Sequence, residues 1–151
     1  MIGASVPELY HAGIRLHYIP KARFDFNFGS DFNKDDNGRL YALTINHAYY
    51  FKKNNWRFNK ALWSINSGIS FLVEKGVHEK STASYLNLYF AREIPIAKKI
   101  FIQPELGASY FLFEQIAFDD YTVKSLSRTR IVPKFGIILI MKIWKTLKLN
   151  D

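Results

Sequence analysis

Period-two alternation of apolar and polar residues runs through the whole chain and constrains the fold more than any other feature. Successive side chains on a strand point to opposite faces, so a chain patterned this way builds a sheet with two unlike faces. Leu9 to Tyr18 sets Tyr10, Ala12, Ile14, Leu16 and Tyr18 against His11, Gly13, Arg15 and His17. Phe24, Phe26 and Phe28 then alternate with Asp25, Asn27 and Gly29. Five more runs repeat the pattern: Tyr41 to Phe51, Trp63 to Val73, Tyr85 to Phe90, Ile102 to Leu112 and Ile131 to Trp144. Polar turns separate them and no stripe of period 3.6 appears, so the chain reads as an all-β antiparallel up-and-down meander with seven visible strands. Its 151 residues make one domain, residues 1–151, and an aromatic content of 17% suits strands.

The polar face decides which side of the sheet is inside. A soluble meander places Lys, Glu and Thr on its solvent face. Here that face carries Gly, Ser, Asn, Ala and Tyr with a few charges of both signs, while Lys and Arg gather in links and near strand ends. Small residues and balanced charges suit a crowded barrel interior. The apolar face carries aromatics near its ends: Tyr10, Tyr18, Tyr41, Tyr49, Phe51, Trp63 and Phe71. Tyr10 and Tyr18 stand roughly 20 Å apart along the normal of a sheet tilted near 40°, close to the apolar band of a membrane barrel between its two aromatic girdles. No stretch approaches a membrane-spanning helix. Residues 1–8 have neither the basic nor the apolar region of a signal peptide.

Alternating ten-residue strands, glycines at mid-strand on the polar face (Gly13, Gly29, Gly68, Gly107, Gly136) and an aromatic-rich apolar face resemble the small outer-membrane β-barrels of Gram-negative bacteria, the OmpA/OmpX-type group. The segment from Glu93 to Tyr110 is similar to the turn and ascending strand of such domains. The resemblance implies a closed barrel of eight strands in the bacterial outer membrane, non-enzymatic, with a structural, adhesion or surface-binding role. The basic charge adds membrane lipid and lipopolysaccharide as expected partners, and a count of seven strands adds a protein partner that completes or contacts the barrel. Pro104 and Pro133 depart from the resemblance, since each removes a ladder donor. The eighth strand has two candidate sources: a segment upstream of Met1, or Ile116 to Val123.

Polar-face charges on separate strands (Arg15, Asp25, Glu105, Lys134 and Lys142) are expected to pair across the lumen and plug it. Function then rests on the longer links, Val73 to Thr82 and Glu114 to Arg130. The remaining motifs read more plainly. With no cysteine there is no thiolate nucleophile or Cys-ligated metal. His47 on the apolar face lacks a Ser two residues on, His11 and His17 are too far apart to share a metal, and His78 lies in a link, so no catalytic site, metal or cofactor is expected. Asn33 to Gly38 opens like a calcium loop but lacks the closing Glu, and Asn37-Gly38 is a hairpin signal. A net charge of +8 suggests an anionic partner, yet Phe24, Phe26 and Phe28 are interleaved with Asp25 and Asn27 rather than with cations, which argues against nucleic acid. Lys52, Lys53, Arg57 and Lys60 with Trp56 and Phe58 read as an interfacial anchor. The alternative is a soluble lipocalin-like barrel carrying an apolar ligand.

Overall fold

A computed structural model describes residues 1–6, 9–31, 39–52, 61–76, 79–118, 122–125 and 130–142. Its strands are β1 (Ile2–Ser5), β2 (Leu9–Ile19), β3 (Ala22–Ser30), β4 (Arg39–Tyr50), β5 (Leu62–Lys75), β6 (Glu79–Ala97), β7 (Ile100–Phe118), β8 (Thr122–Ser125) and β9 (Ile131–Met141). All pairings are antiparallel. Each strand from β1 to β7 pairs with the next, β7 pairs with β9, and β9 pairs back to β1. The result is a closed meander of eight strands.

The strand that completes the ring is neither of the two expected from the sequence. It is β1, four residues long, held between Leu9–Ala12 of β2 and Gly136–Leu139 of β9. Its alternation is too short to be read as a run, and its register comes from the two long strands beside it. Ile116 and Val123 instead pair with each other: β8 runs back along the end of β7 and stands outside the ring. Among the described residues, the links at Val73 to Thr82 and Glu114 to Arg130 are also largely strand. Lys75 pairs with Lys80 and Glu79 with Phe118, so β5, β6, β7 and β8 rise together past the level at which β9 begins. A bulge lies where Ser84↔Phe113 steps to Tyr85↔Phe111. The connections β2–β3, β4–β5 and β6–β7 lie at the opposite, turn end.

Both prolines sit where a donor is not needed. Lys142 N–H donates to the Lys99 carbonyl at 2.9 Å and Phe111 N–H to Arg130 at 3.0 Å, so odd-numbered β7 residues bond β9 and even-numbered ones face β6. Pro104 therefore turns its nitrogen toward β6, where the ladder skips from Ala91↔Glu105 to Ile94↔Ile102. Pro133 turns its nitrogen toward the β1 side, beyond Val6, whose N–H reaches the Phe135 carbonyl and is the last described bond there.

The polarity of the wall is inverted relative to a water-soluble core. Ile14, Leu106 and Ile131 on the outside are 61%, 69% and 71% exposed, while Arg23, Asp25 and Lys134 inside are 0%, 1% and 1% exposed. Inside, Phe101, Ile138 and Ile140 form a small apolar cluster with Met1 against it. Mid-strand glycine on the interior face makes room for large neighbours. A Cβ on Gly107 would collide with the Leu88 carbonyl and with the Cα and Cβ of Tyr89, its buried cross-strand partner.

Candidate functional site

The interior is a stack of polar layers, set by which residues continue the inward phase of each strand. Nearest the turn end, Arg15 and Asp25 are direct partners on the β2–β3 ladder. Arg15 Nε donates to Asp25 Oδ1 at 2.7 Å and its Nη2 to Oδ2 at 2.8 Å. Arg15 Nη1 also donates to Glu93 Oε1 at 2.7 Å, and its Nη2 to Gln103 Oε1 at 3.0 Å. Arg23 lies beneath, donating to Asp25 Oδ2 at 3.0 Å and Glu93 Oε1 at 2.8 Å, with its guanidinium 4.8 Å from the Tyr50 ring centroid. The Tyr50 hydroxyl bonds Glu93 and accepts from Arg23. Two cations and two carboxylates thus balance in a layer whose ion-paired side chains are at most 7% exposed. Such charges persist in a low-dielectric interior only when paired and fully hydrogen-bonded, as here.

The middle layer holds Glu105, which accepts from Gln103 Nε2 at 2.7 Å, and Lys134, whose Nζ lies 5.0 Å from the Tyr89 ring centroid. With Ser5, His11, Asn27 and Asn46 they line a small cavity of about 10 Å³, one water's worth of space. A third layer is a hydrogen-bonded belt over four strands: Thr44 and Ser70 at 2.8 Å, Asn87 Nδ2 to Ser70 at 2.7 Å, and Ser109 to Asn87 Oδ1 at 2.7 Å.

The charges named from the sequence are therefore divided among separate places. Arg15 and Asp25 meet, Glu105 and Lys134 belong to the middle layer, and Lys142 sits at the turn end with its Nζ 4.0 Å from the Phe101 ring centroid. Gln103 meets these charges as a polar-face residue should, whereas Arg23, Tyr50 and Glu93 are members of the main cluster that sequence reasoning did not single out. These three continue the inward phase of Asp25, Ala48 and Ala91, but each stands at a strand end beside a connection, where alternation is shortest.

Outside, Tyr18, Tyr49, Phe51 and Trp63 stand at the turn end, and Tyr10, Tyr41 and Phe71 toward the loop end; all are exposed except Tyr41, which is half-buried. His47 is on this outer face. The Tyr18 hydroxyl lies 2.6 Å from its Nε2, Phe24 packs against both rings, and its cross-strand neighbour is Ser67. No carboxylate joins this group among the described residues. Residues 33–38 of the calcium-like motif, His78, and Lys53, Trp56, Arg57, Phe58 and Lys60 of the basic–aromatic link lie outside the described residues.

Comparison with protein-family models, with curated proteins and with solved structures finds no match.

Proposed function

We propose that the chain spans the bacterial outer membrane as a small barrel closed to ion flow, without enzymatic activity, its role structural or surface-binding. The observation that carries this reading is the inverted polarity: a continuous apolar outer wall around a salt-bridged interior. Exposed apolar area on this scale is stable against hydrocarbon and not against water, whereas the buried ion pairs have no reason to be inside a soluble carrier. A lipocalin-like carrier needs an apolar chamber of several hundred Å³. The interior cavity beside Glu105 and Lys134 is about 10 Å³ and polar.

The raised β5–β6 hairpin, with exposed Glu74, Lys75, Glu79 and Lys80, offers the polar surface that a partner such as lipopolysaccharide or another protein would meet. Extraction tests the proposal. The protein should partition with the membrane, require detergent, and migrate differently on gels before and after boiling. A monomer that stays soluble without detergent would overturn it.

A further inference from the structure

The two rims of the barrel differ in charge. At the loop end, Asp31, Glu74, Glu79 and Glu114 stand among Arg39, Lys75, Lys80 and Arg130. At the turn end the described residues outside the lumen carry cations alone: Lys21, Lys52, Arg92, Lys98 and Lys99, with half-buried Lys142 at the mouth. The carboxylates at that level, Asp25 and Glu93, are turned inward and consumed by Arg15 and Arg23. Two of the rim cations are placed against the outer aromatics: Arg92 Cζ lies 5.3 Å from the Trp63 ring centroid and Lys21 Nζ lies 5.9 Å from that of Tyr49. An aromatic ring at the headgroup level with a cation over it holds positive charge where lipid phosphates lie.

The geometry points to the turn-end rim as a docking surface for anionic phospholipid headgroups, so that the barrel prefers a negatively charged leaflet at that end. The argument is charge complementarity: each Lys or Arg near an anionic surface adds attraction, and no exposed carboxylate among the described turn-end residues offsets it. The mixed loop-end rim has no comparable preference. This inference rests on the membrane-spanning reading above, and its test keeps the two apart.

The variant Trp56→Phe/Trp144→Phe leaves Trp63 as the reporter. It is reconstituted into phosphatidylcholine vesicles containing a minor fraction of brominated lipid, either phosphatidylglycerol or phosphatidylcholine. Brominated phosphatidylglycerol should associate with the Trp63 site about fivefold more strongly than brominated phosphatidylcholine, and high salt should shrink the difference. Lys21→Gln/Arg92→Gln/Lys98→Gln/Lys99→Gln should abolish the preference. Lys98→Gln/Lys99→Gln, confined to an exposed turn, should reduce it if the fourfold variant does not fold. Arg39→Gln/Lys75→Gln/Lys80→Gln at the loop end should leave it intact. Equal quenching by the two lipids, or loss of the preference only in the loop-end variant, overturns the inference. Failure to insert into either vesicle, seen as a band that boiling does not shift, overturns the spanning reading instead.

Discussion

Arg15 on β2 and Glu93 on β6 stand on strands four places apart in an eight-membered ring, the widest separation that ring offers, and their side chains meet at 2.7 Å. Arg23 on β3 and Gln103 on β7 are equally opposed and also meet, at 3.1 Å. Two side chains that cross the full lumen and touch leave no continuous water path between them. The purified protein in a planar bilayer is therefore expected to give no steady conductance. Arg15→Ala/Arg23→Ala removes both crossings but leaves the middle layer of Glu105, Lys134 and Tyr89, so it too should give no steady conductance; large stable channels from the unmodified protein would refute the plugged interior.

Charge balance in the same layer sets its stability. Glu93→Gln keeps the shape of the side chain but leaves two guanidiniums facing only Asp25. Breaking a buried pair by removing one partner costs about 3–5 kcal/mol, and a comparable loss is expected here in urea unfolding from vesicles. Glu79→Gln, exposed at the loop end, should leave the midpoint unmoved. If both changes have equally small effects, the network contributes no stability.

Leu43 and Ile69 lie on the outer face between the two aromatic rims, Leu43 opposite Phe28 and Phe71, Ile69 opposite Ile45 and Leu86. Leu43→Arg and Ile69→Arg should each cost about 2–4 kcal/mol in a bilayer near the midplane. Cysteines at these two positions should react with lipid-soluble maleimides and resist water-soluble ones, while Lys98→Cys in the exposed turn should label from water. Efficient aqueous labelling at 43 would show that this face does not meet lipid.

How far the fold was legible depends on what local alternation encodes. Period two marks faces, so the inward places of Arg15, Asp25 and Asn87 and the outward places of Tyr10, Leu43 and Trp63 follow from the sequence. Strand ends do not, because a tilted barrel wall continues into its turns: Arg23 and Glu93 keep the inward phase up to the last ladder residues, where Ile-Pro-Lys-Ala and Ile-Pro-Ile-Ala read as connections. Ring closure by Ile2–Ser5 was also hidden, since four residues are too few for a periodic signal and their place is set by β2 and β9. Contacts across the lumen depend on shear and register together, which no window of neighbouring residues contains. Arg15 meeting Glu93 is of this kind, joining residues 78 positions apart.

Gly107 and Tyr89 test the packing of the middle layer. They are direct partners on the β6–β7 ladder, Tyr89 is 2% exposed, and the Lys134 ammonium lies over its ring. Any Cβ at 107 meets the Leu88 carbonyl and the backbone and Cβ of Tyr89, atoms that belong to the wall and cannot swing aside as the tip of a flexible side chain can. Gly107→Ala should therefore destabilise, by about 1–3 kcal/mol, the range for overpacking a tight site, even though alanine is otherwise no worse than glycine in a strand. Tyr89→Ala should destabilise as well, by opening a cavity under Lys134. Because part of the clash is with the Leu88 carbonyl, the double change Gly107→Ala/Tyr89→Ala should recover little of the loss. The coupling is measured by unfolding the four proteins of the cycle in the same vesicles. A Gly107→Ala protein as stable as the unmodified one would mean that the wall at β6–β7 has slack, and the close-packed middle layer would have to be abandoned.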